Sequence, residues 1–285
     1  MKRILSKLLV ISTFICVLFS CSDESSLTTV APSEVTSMTI KLHDVSRQGL
    51  TRTTLNESLQ LVWNTTDTIG IFPNEGFQVA FPMAGSTGTQ TAIFKGGGWG
   101  LKTKYSYSAY FPLIGQTYLD RTSIPLKVTG QMQTANGESS HIGKYDYMAA
   151  PYCNVNPNGG VIFDFEHLVC FLQLKVTMNS ADTFTSIVFK TNGEFVTEAS
   201  LNLTDGIVST VQTSQEMTLG LNDIVIEEQA QVLNAYIVML PVDLTGKNVS
   251  AEICGKSGTV HQVSLPGMNY EAGHLYTASR TASTL

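Results

Sequence analysis

Residues 170–178, CFLQLKVTM, alternate between apolar and polar side chains, with Leu172, Leu174, Val176 and Met178 at every second position. Successive side chains of a strand point to opposite faces, so a period of two predicts a β-strand with one buried face. The apolar positions of a helix would instead recur every three or four residues, and no stretch of a dozen residues in the chain shows that spacing. The segment therefore predicts an all-β fold.

Similar alternating segments occur on both sides of this strand. They are residues 36–44, 59–63, 69–71, 187–189, 232–240, 249–253 and 260–265. Clusters of turn-forming residues separate them, at 156–160, 192–193, 205–206 and 266–267. Short strands divided by Gly, Asn, Asp and Pro at this spacing are typical of β-sandwiches.

The length of the chain indicates how many domains these strands form. A chain of 285 residues is longer than an average single domain, which favours two. The strongest break near the middle is residues 156–160, NPNGG, which directly precede a long strand-like run from Val161. We predict an N-terminal β-sandwich domain over residues 36–164 and a C-terminal β-sandwich domain over residues 165–285.

The composition narrows the class of partner. The chain has 17 Lys and Arg residues against 23 Asp and Glu residues, a net charge of −6 at pH 7. An acidic surface repels the phosphate backbone, so the composition argues against nucleic-acid binding. Only 14% of the residues are charged, while Thr, Ser, Gly and aromatic residues are frequent, as in extracellular all-β proteins.

The first 20 residues predict export. Lys2, Arg3 and Lys7 precede an apolar run over residues 8–19. A helix needs about 20 apolar residues to span a bilayer, so this run is too short. A basic start followed by a short apolar run is typical of a secretory signal peptide, which we assign to residues 1–20.

A cysteine at the end of this run predicts a lipid anchor. Ser20 precedes Cys21, and a small residue before a cysteine fits cleavage and lipid attachment at that cysteine. Several acyl chains on one cysteine anchor a protein stably to a membrane. Residues 21–35 are rich in Ser, Thr and acidic residues, which cannot form a core, and we predict a lipidated tether there. The expected location is the outer membrane, at the cell surface.

Three further cysteines, Cys153, Cys170 and Cys254, follow the tether. Their number is odd and no two lie at CxxC spacing, so a disulfide framework is not implied and any pairing stays open. Cys170 lies within the apolar run, and we expect it to pack as a small hydrophobic residue.

The sequence predicts no catalytic site, cofactor or metal. It contains no GxSxG motif, no phosphate-binding glycine motif, and no two histidines at metal-ligand spacing. Glu166 and His167 could form an acid–base pair, but no nucleophile or metal cluster accompanies them, which favours a structural histidine. Asp164 and Glu166 could serve a glycosidase, although nothing else in the chain supports that activity.

A tyrosine cluster is the one candidate ligand platform. It consists of Tyr105, Tyr107, Tyr110 and Tyr118. An aromatic surface can stack on sugar rings, but aromatic side chains paired across strands are also common in the core of a β-sandwich. Both interpretations are open from the sequence.

Six segments resemble, in order, motifs of the fimbrillin family. They are WNTTDTIGIF at 63–72, YSYSAYFP at 105–112, YDYMA at 145–149, FEHLVCFLQLKV at 165–176, AYIVMLP at 235–241 and AGHLYT at 272–277. They are distributed over most of the chain that follows the tether, from residue 63 to residue 277, and the predicted lipoprotein signal agrees with them.

The resemblance implies two tandem transthyretin-like Greek-key β-sandwich domains. It further implies a subunit of type V-like fimbriae, in which an arginine-specific protease removes the first strand and a strand from a neighbouring subunit replaces it. In this sequence the removable strand is residues 36–45, and the cut follows Arg47 or Arg52. The alternative is an uncut loop with two solvent-facing arginines.

The end of the sequence distinguishes roles within a fimbria. Residues 277–285 are nearly all small or polar, whereas a donor strand presents alternating large apolar residues. We therefore expect a tip or accessory subunit rather than a stalk subunit, with other fimbrial subunits as partners and a host or bacterial surface glycan or protein as a possible ligand. A lipidated anchor and a non-polymerising, glycan-binding surface lipoprotein are the alternatives.

Overall fold

The computed structural model describes residues 34–35, 37–42, 54–55, 61–85, 88, 91–96, 101–102, 104–115, 119–154 and 161–285. These residues form 23 β-strands and one 3-10 helix, Ser140–Lys144, so the predicted all-β fold is confirmed. The predicted signal peptide and Cys21 lie outside the described residues.

Thirteen strands begin before residue 165. They are β1 (Glu34–Val35), β2 (Ser37–Leu42), β3 (Thr54–Leu55), β4 (Leu61–Val62), β5 (Thr68–Pro73), β6 (Val79–Pro82), β7 (Thr91–Lys95), β8 (Leu101–Lys102), β9 (Ser106–Phe111), β10 (Ile124–Lys127), β11 (Gln131–Gln133), β12 (Met148–Asn154) and β13 (Ile162–His167).

Ten strands follow. They are β14 (Cys170–Thr177), β15 (Asp182–Asn202), β16 (Ile207–Ile226), β17 (Val232–Met239), β18 (Val242–Asp243), β19 (Val249–Gly255), β20 (Val260–Leu265), β21 (Asn269–Tyr270), β22 (Leu275–Thr281) and β23 (Ser283–Thr284).

Seven strands form the N-terminal sheet, in the order β6-β5-β9-β12-β13-β2-β7. All neighbours are antiparallel except β13 and β2, which run parallel. The sheet curls back on itself, because a bridge between Met83, directly after β6, and Phe94 of β7 joins its two edges. Its inner face encloses the smaller of two hydrophobic cores, which contains Trp63, Phe111 and Phe163.

Two sheets enclose the larger core in the C-terminal half. One has the order β11-β16-β15-β19-β20-β23, with β10 also pairing with β15, and the other has the order β17-β14-β22. The alternation from Leu172 to Val176 produces β14, the central strand of the smaller sheet, and Leu174 and Val176 are fully buried. β14 lies parallel to β22, just as β2 lies parallel to β13.

Two strands that precede the predicted domain boundary belong to the C-terminal sheet. β10 pairs with residues 198–201 of β15, and β11 pairs with residues 219–221 of β16. Leu126 and Val128 are accordingly buried in the larger core. The sequence assigned this segment to the N-terminal domain because local patterns do not reveal long-range pairing. The boundary near residue 165 stays a prediction.

The N-terminal sheet is buried on both faces at β9. Tyr107, Ala109 and Phe111 contribute to the smaller core, while Tyr110 contributes to the larger one. All six residues of β9 are buried. The two cores therefore lie back to back, and the described residues from Glu34 onward form one compact unit.

A buried polar pair joins the start of β12 to the end of β13. His167 Nδ1 lies 2.7 Å from Asp146 Oδ1, and the two side chains are 6% and 0% exposed. The edge of the His167 ring also contacts the Phe171 ring, with 5.9 Å between centroids. Glu166 points outward instead, so the geometry assigns His167 a structural partner rather than a catalytic one.

Candidate strand-binding groove

β2 lies between two strands that come from distant parts of the chain. Its residues Thr39–Leu42 pair in parallel with residues 162–165 of β13, and residues 37–41 pair antiparallel with residues 91–95 of β7. β2 is therefore the only described strand that connects β7 to β13. We call the space that β2 fills, bounded by β7 and β13, the strand groove.

Aromatic side chains form the floor of the strand groove. Phe94 of β7 is the register partner of position 38, and Phe165 of β13 is the partner of position 42. Both rings contact the fully buried Trp63 edge-on, with centroids 5.0 Å and 6.5 Å away. The sequence predicted a strand over residues 59–63, but β4 ends at Val62, and Trp63 lies between that strand and the turn that follows.

The residues after Trp63 hold it in place. Asp67 Oδ2 accepts a 2.7 Å hydrogen bond from the backbone N–H of Asn64, and the Asp67 N–H donates to the Asn64 carbonyl at 3.0 Å. This closed turn leads into β5. At Gly70 a Cβ would lie only 2.3 Å from the Tyr110 ring, so only glycine fits there. Core packing therefore explains Trp63 of the WNTTDTIGIF motif, the closed turn explains Asp67, and the close approach of Tyr110 explains Gly70.

The outer face of the strand groove exposes other side chains than those of the aromatic floor. Ile93 is 41% exposed and Ile162 is 47% exposed, and both are register partners of position 39. Asp164, also exposed, is the partner of position 41. The outer face therefore has an apolar row followed by an acidic position.

The tyrosine cluster is mostly not at the surface. Tyr107 is 4% exposed and Tyr110 is 1% exposed, so neither presents a ring face on which a sugar could stack. The Tyr110 hydroxyl donates to Gln78 Oε1, and burial raises the pKa of Tyr110 to about 12. Because β9 is covered on both faces, the structure favours the core interpretation for Tyr107 and Tyr110. Tyr105 is half-buried, and Tyr118 lies outside the described residues.

A cavity of about 630 Å³ lies beside Tyr105. Its walls are largely apolar and include Ile71, Phe81 and Leu101, with Glu75 and Lys102 as charged lining residues. The ammonium of Lys104 lies 4.6 Å from the centroid of the Tyr105 ring. Tyr105 and Tyr107 of the predicted platform both line this cavity, and Tyr105 is the more exposed of the two.

The remaining predicted residues are not brought together. Arg47 and Arg52 lie outside the described residues. Cys153, Cys170 and Cys254 are all free thiols, and burial raises the pKa of Cys170 to about 12, as expected of a packed small residue. Within the described residues, no group of three or more His, Cys, Asp or Glu side chains could hold a metal ion.

The chain is thus an all-β protein with two back-to-back cores and an inserted N-terminal strand. It belongs to the fimbrillin-like family, because the family model of that description matches residues 51–283. Membership places it among the structural and adhesive proteins of the cell surface. The parts of the chain that the structure describes contain no helix long and apolar enough to cross a membrane.

Solved structures show the same fold. A candidate cell adhesion protein from Bacteroides uniformis aligns at 17% identity with a TM-score of 0.57, over 88% of this chain and 96% of that one. Another from Bacteroides ovatus aligns at 17% identity with a TM-score of 0.58, over 90% and 96% of the two chains. A search of curated proteins finds no match.

Proposed function

We propose that this protein is a subunit of a type V-like surface fimbria, exported as a lipoprotein, and that it accepts a strand from a neighbouring subunit. The observation that carries the proposal is the position of β2. An N-terminal strand fills a slot in the interior of a sheet, and its removal would expose two strand edges and an aromatic floor.

The physical chemistry favours refilling that slot. The vacated edges of β7 and β13 would carry backbone N–H and C=O groups without partners, and Trp63, Phe94 and Phe165 would lose their cover. An added strand satisfies both deficits at once, which is the basis of recognition by β-strand addition. Cleavage after Arg47 or Arg52 would separate β2 from the rest of the chain.

The last long strand, β22, supports the proposal of a tip or accessory role. β22 pairs along its full length with β14 inside the same chain. Residues 275–281, LYTASRT, lack the alternating large apolar residues of a donor. A subunit that accepts a strand but donates none ends a polymer, so we propose tip or accessory subunit ahead of stalk subunit.

Processing at the cell surface tests this proposal. We expect mass spectrometry of the protein purified from the surface to give an N-terminus at Gln48 or Thr53, because the proposed cut follows Arg47 or Arg52. Replacing both arginines with lysine keeps the charge but removes the arginine-specific site, so that variant should start at acylated Cys21 and fail to join fimbriae. An acylated Cys21 start in the unmodified protein would instead indicate an anchor or a non-polymerising lipoprotein.

The cavity beside Tyr105 favours glycan binding as a second candidate function. We expect Tyr105→Ala to abolish binding on a glycan array and Tyr105→Phe to retain it, because the phenyl ring still offers a stacking face. The absence of binding by the unmodified protein to any glycan, or equal binding by the alanine variant, would contradict this function.

A further inference from the structure

The strand groove contains a second recognition surface, on the face opposite its aromatic floor. Ile93 of β7 and Ile162 of β13 flank position 39 from either side. Their neighbours Ala92, Phe94 and Phe163 are buried, so the two isoleucines point outward. Adjacent strands are about 4.8 Å apart, so a side chain on the outer face at position 39 would lie beside both of them.

The chain's own residue at this position is a threonine, which is smaller and more polar than the isoleucines on either side. Ile93 and Ile162 are nearly half exposed while β2 is in place. A large apolar side chain at position 39 would cover more of both, because residues directly opposite on neighbouring strands are in contact. The resident strand is therefore not the best occupant of this groove.

At position 41 the groove would select the side chain of an inserted strand by its charge rather than by its size. It lies opposite the exposed Asp164 of β13, with Thr91 as its partner on β7. The residue there in this chain is Lys41. Opposite charges across a strand pair stabilise it, and like charges destabilise it, so an acidic residue at this position would be disfavoured.

We infer that the groove selects a strand with a large aliphatic or aromatic residue at the position of Thr39 and a basic residue at the position of Lys41, besides apolar residues at positions 38, 40 and 42. This inference rests on the proposed strand exchange. The occupant in this proposal is a segment of a different subunit, because β22, the last long strand of this chain, lacks the pattern and is paired with β14. A strand that covers both isoleucines would displace β2 with a net gain.

The first test uses the full chain and does not depend on exchange. We expect Thr39→Ile to raise the folding equilibrium constant by roughly fivefold, from two added apolar cross-strand contacts. The same substitution in a background with Ile93→Thr and Ile162→Thr should give little gain. Equal gains in the two backgrounds, or no gain in either, would overturn the inference.

The second test measures selection directly. The full chain is incubated with an arginine-specific protease and biotinylated peptides of residues 37–45. The peptide with Thr39→Ile should be captured roughly fivefold more tightly than the unmodified peptide, and the peptide with Lys41→Glu more weakly. Equal capture of all three would refute the selectivity and leave strand exchange standing. Capture of none would refute strand exchange, and the first test would still decide whether position 39 couples to the two isoleucines.

Discussion

Trp63→Ala should lower the free energy of unfolding by about 3–5 kcal/mol, the range seen when a buried large aromatic residue is truncated. Trp63 is fully buried and contacts Phe94, Phe111 and Phe165 edge-on, so its removal leaves a cavity beneath three rings at once. Urea titration followed by far-ultraviolet circular dichroism measures the loss. Trp63→Phe should cost less, because part of the aromatic volume remains.

The position of this tryptophan gives the prediction a second readout. Phe94 and Phe165 are the register partners of positions 38 and 42, so a cavity between them should loosen β2 first. Limited proteolysis should therefore release the N-terminal segment of Trp63→Ala faster than that of Ile207→Ala, an exposed residue on β16 of the C-terminal sheet. A loss below about 1 kcal/mol, or equal proteolysis of the two variants, would show that Trp63 does not support the groove.

Asp146→Ala should lower the free energy of unfolding by about 2–3 kcal/mol, because it leaves a buried imidazole nitrogen without its carboxylate partner. The Asp146 side chain is fully buried and its Oδ1 lies 2.7 Å from His167 Nδ1. Asp146→Asn is the matched variant, since an amide oxygen of similar size can still accept a hydrogen bond. We expect it to cost clearly less than Asp146→Ala in the same urea titration.

An exposed acidic neighbour provides the control for this pair. Glu166 precedes His167 in sequence but points to the outer face of β13. Glu166→Ala should change stability by no more than about 0.5 kcal/mol. If Glu166→Ala proved as costly as Asp146→Ala, the partner of His167 in solution would not be Asp146.

The proposed strand exchange would connect these predictions to assembly. The turn at Asp67 and the close contact at Gly70 place Trp63 beneath β2, and Trp63 supports the two aromatic residues that flank that strand. The WNTTDTIGIF motif, one of the six that resemble the fimbrillin family, thus supplies the tryptophan at the floor of the groove.

Local patterns in the sequence determined several of the strands and turns, although the turn predicted at residues 192–193 was wrong, because these residues lie inside β15. The alternation from Leu172 to Val176 predicted β14, because successive side chains of a strand point to opposite faces. The prediction of a single buried face was wrong, since residues 170–174 are buried on both faces. The pair Asp205-Gly206 closes the long β15–β16 hairpin, where Gly206 adopts a φ of 76° that favours glycine. These features depend only on neighbouring residues, so a single sequence reveals them.

Only the tertiary structure decided which segments meet. The spacing of the tyrosines of β9 is compatible with a surface platform and with a core. Packing on both faces of that strand buries Tyr107 and Tyr110. Asp146 and His167 are 21 residues apart and carry no local signal of their contact. β10 and β11 join a sheet whose other strands lie far along the chain. Pairing between distant segments depends on the total apolar surface that the folded chain can bury, which no short stretch of sequence contains.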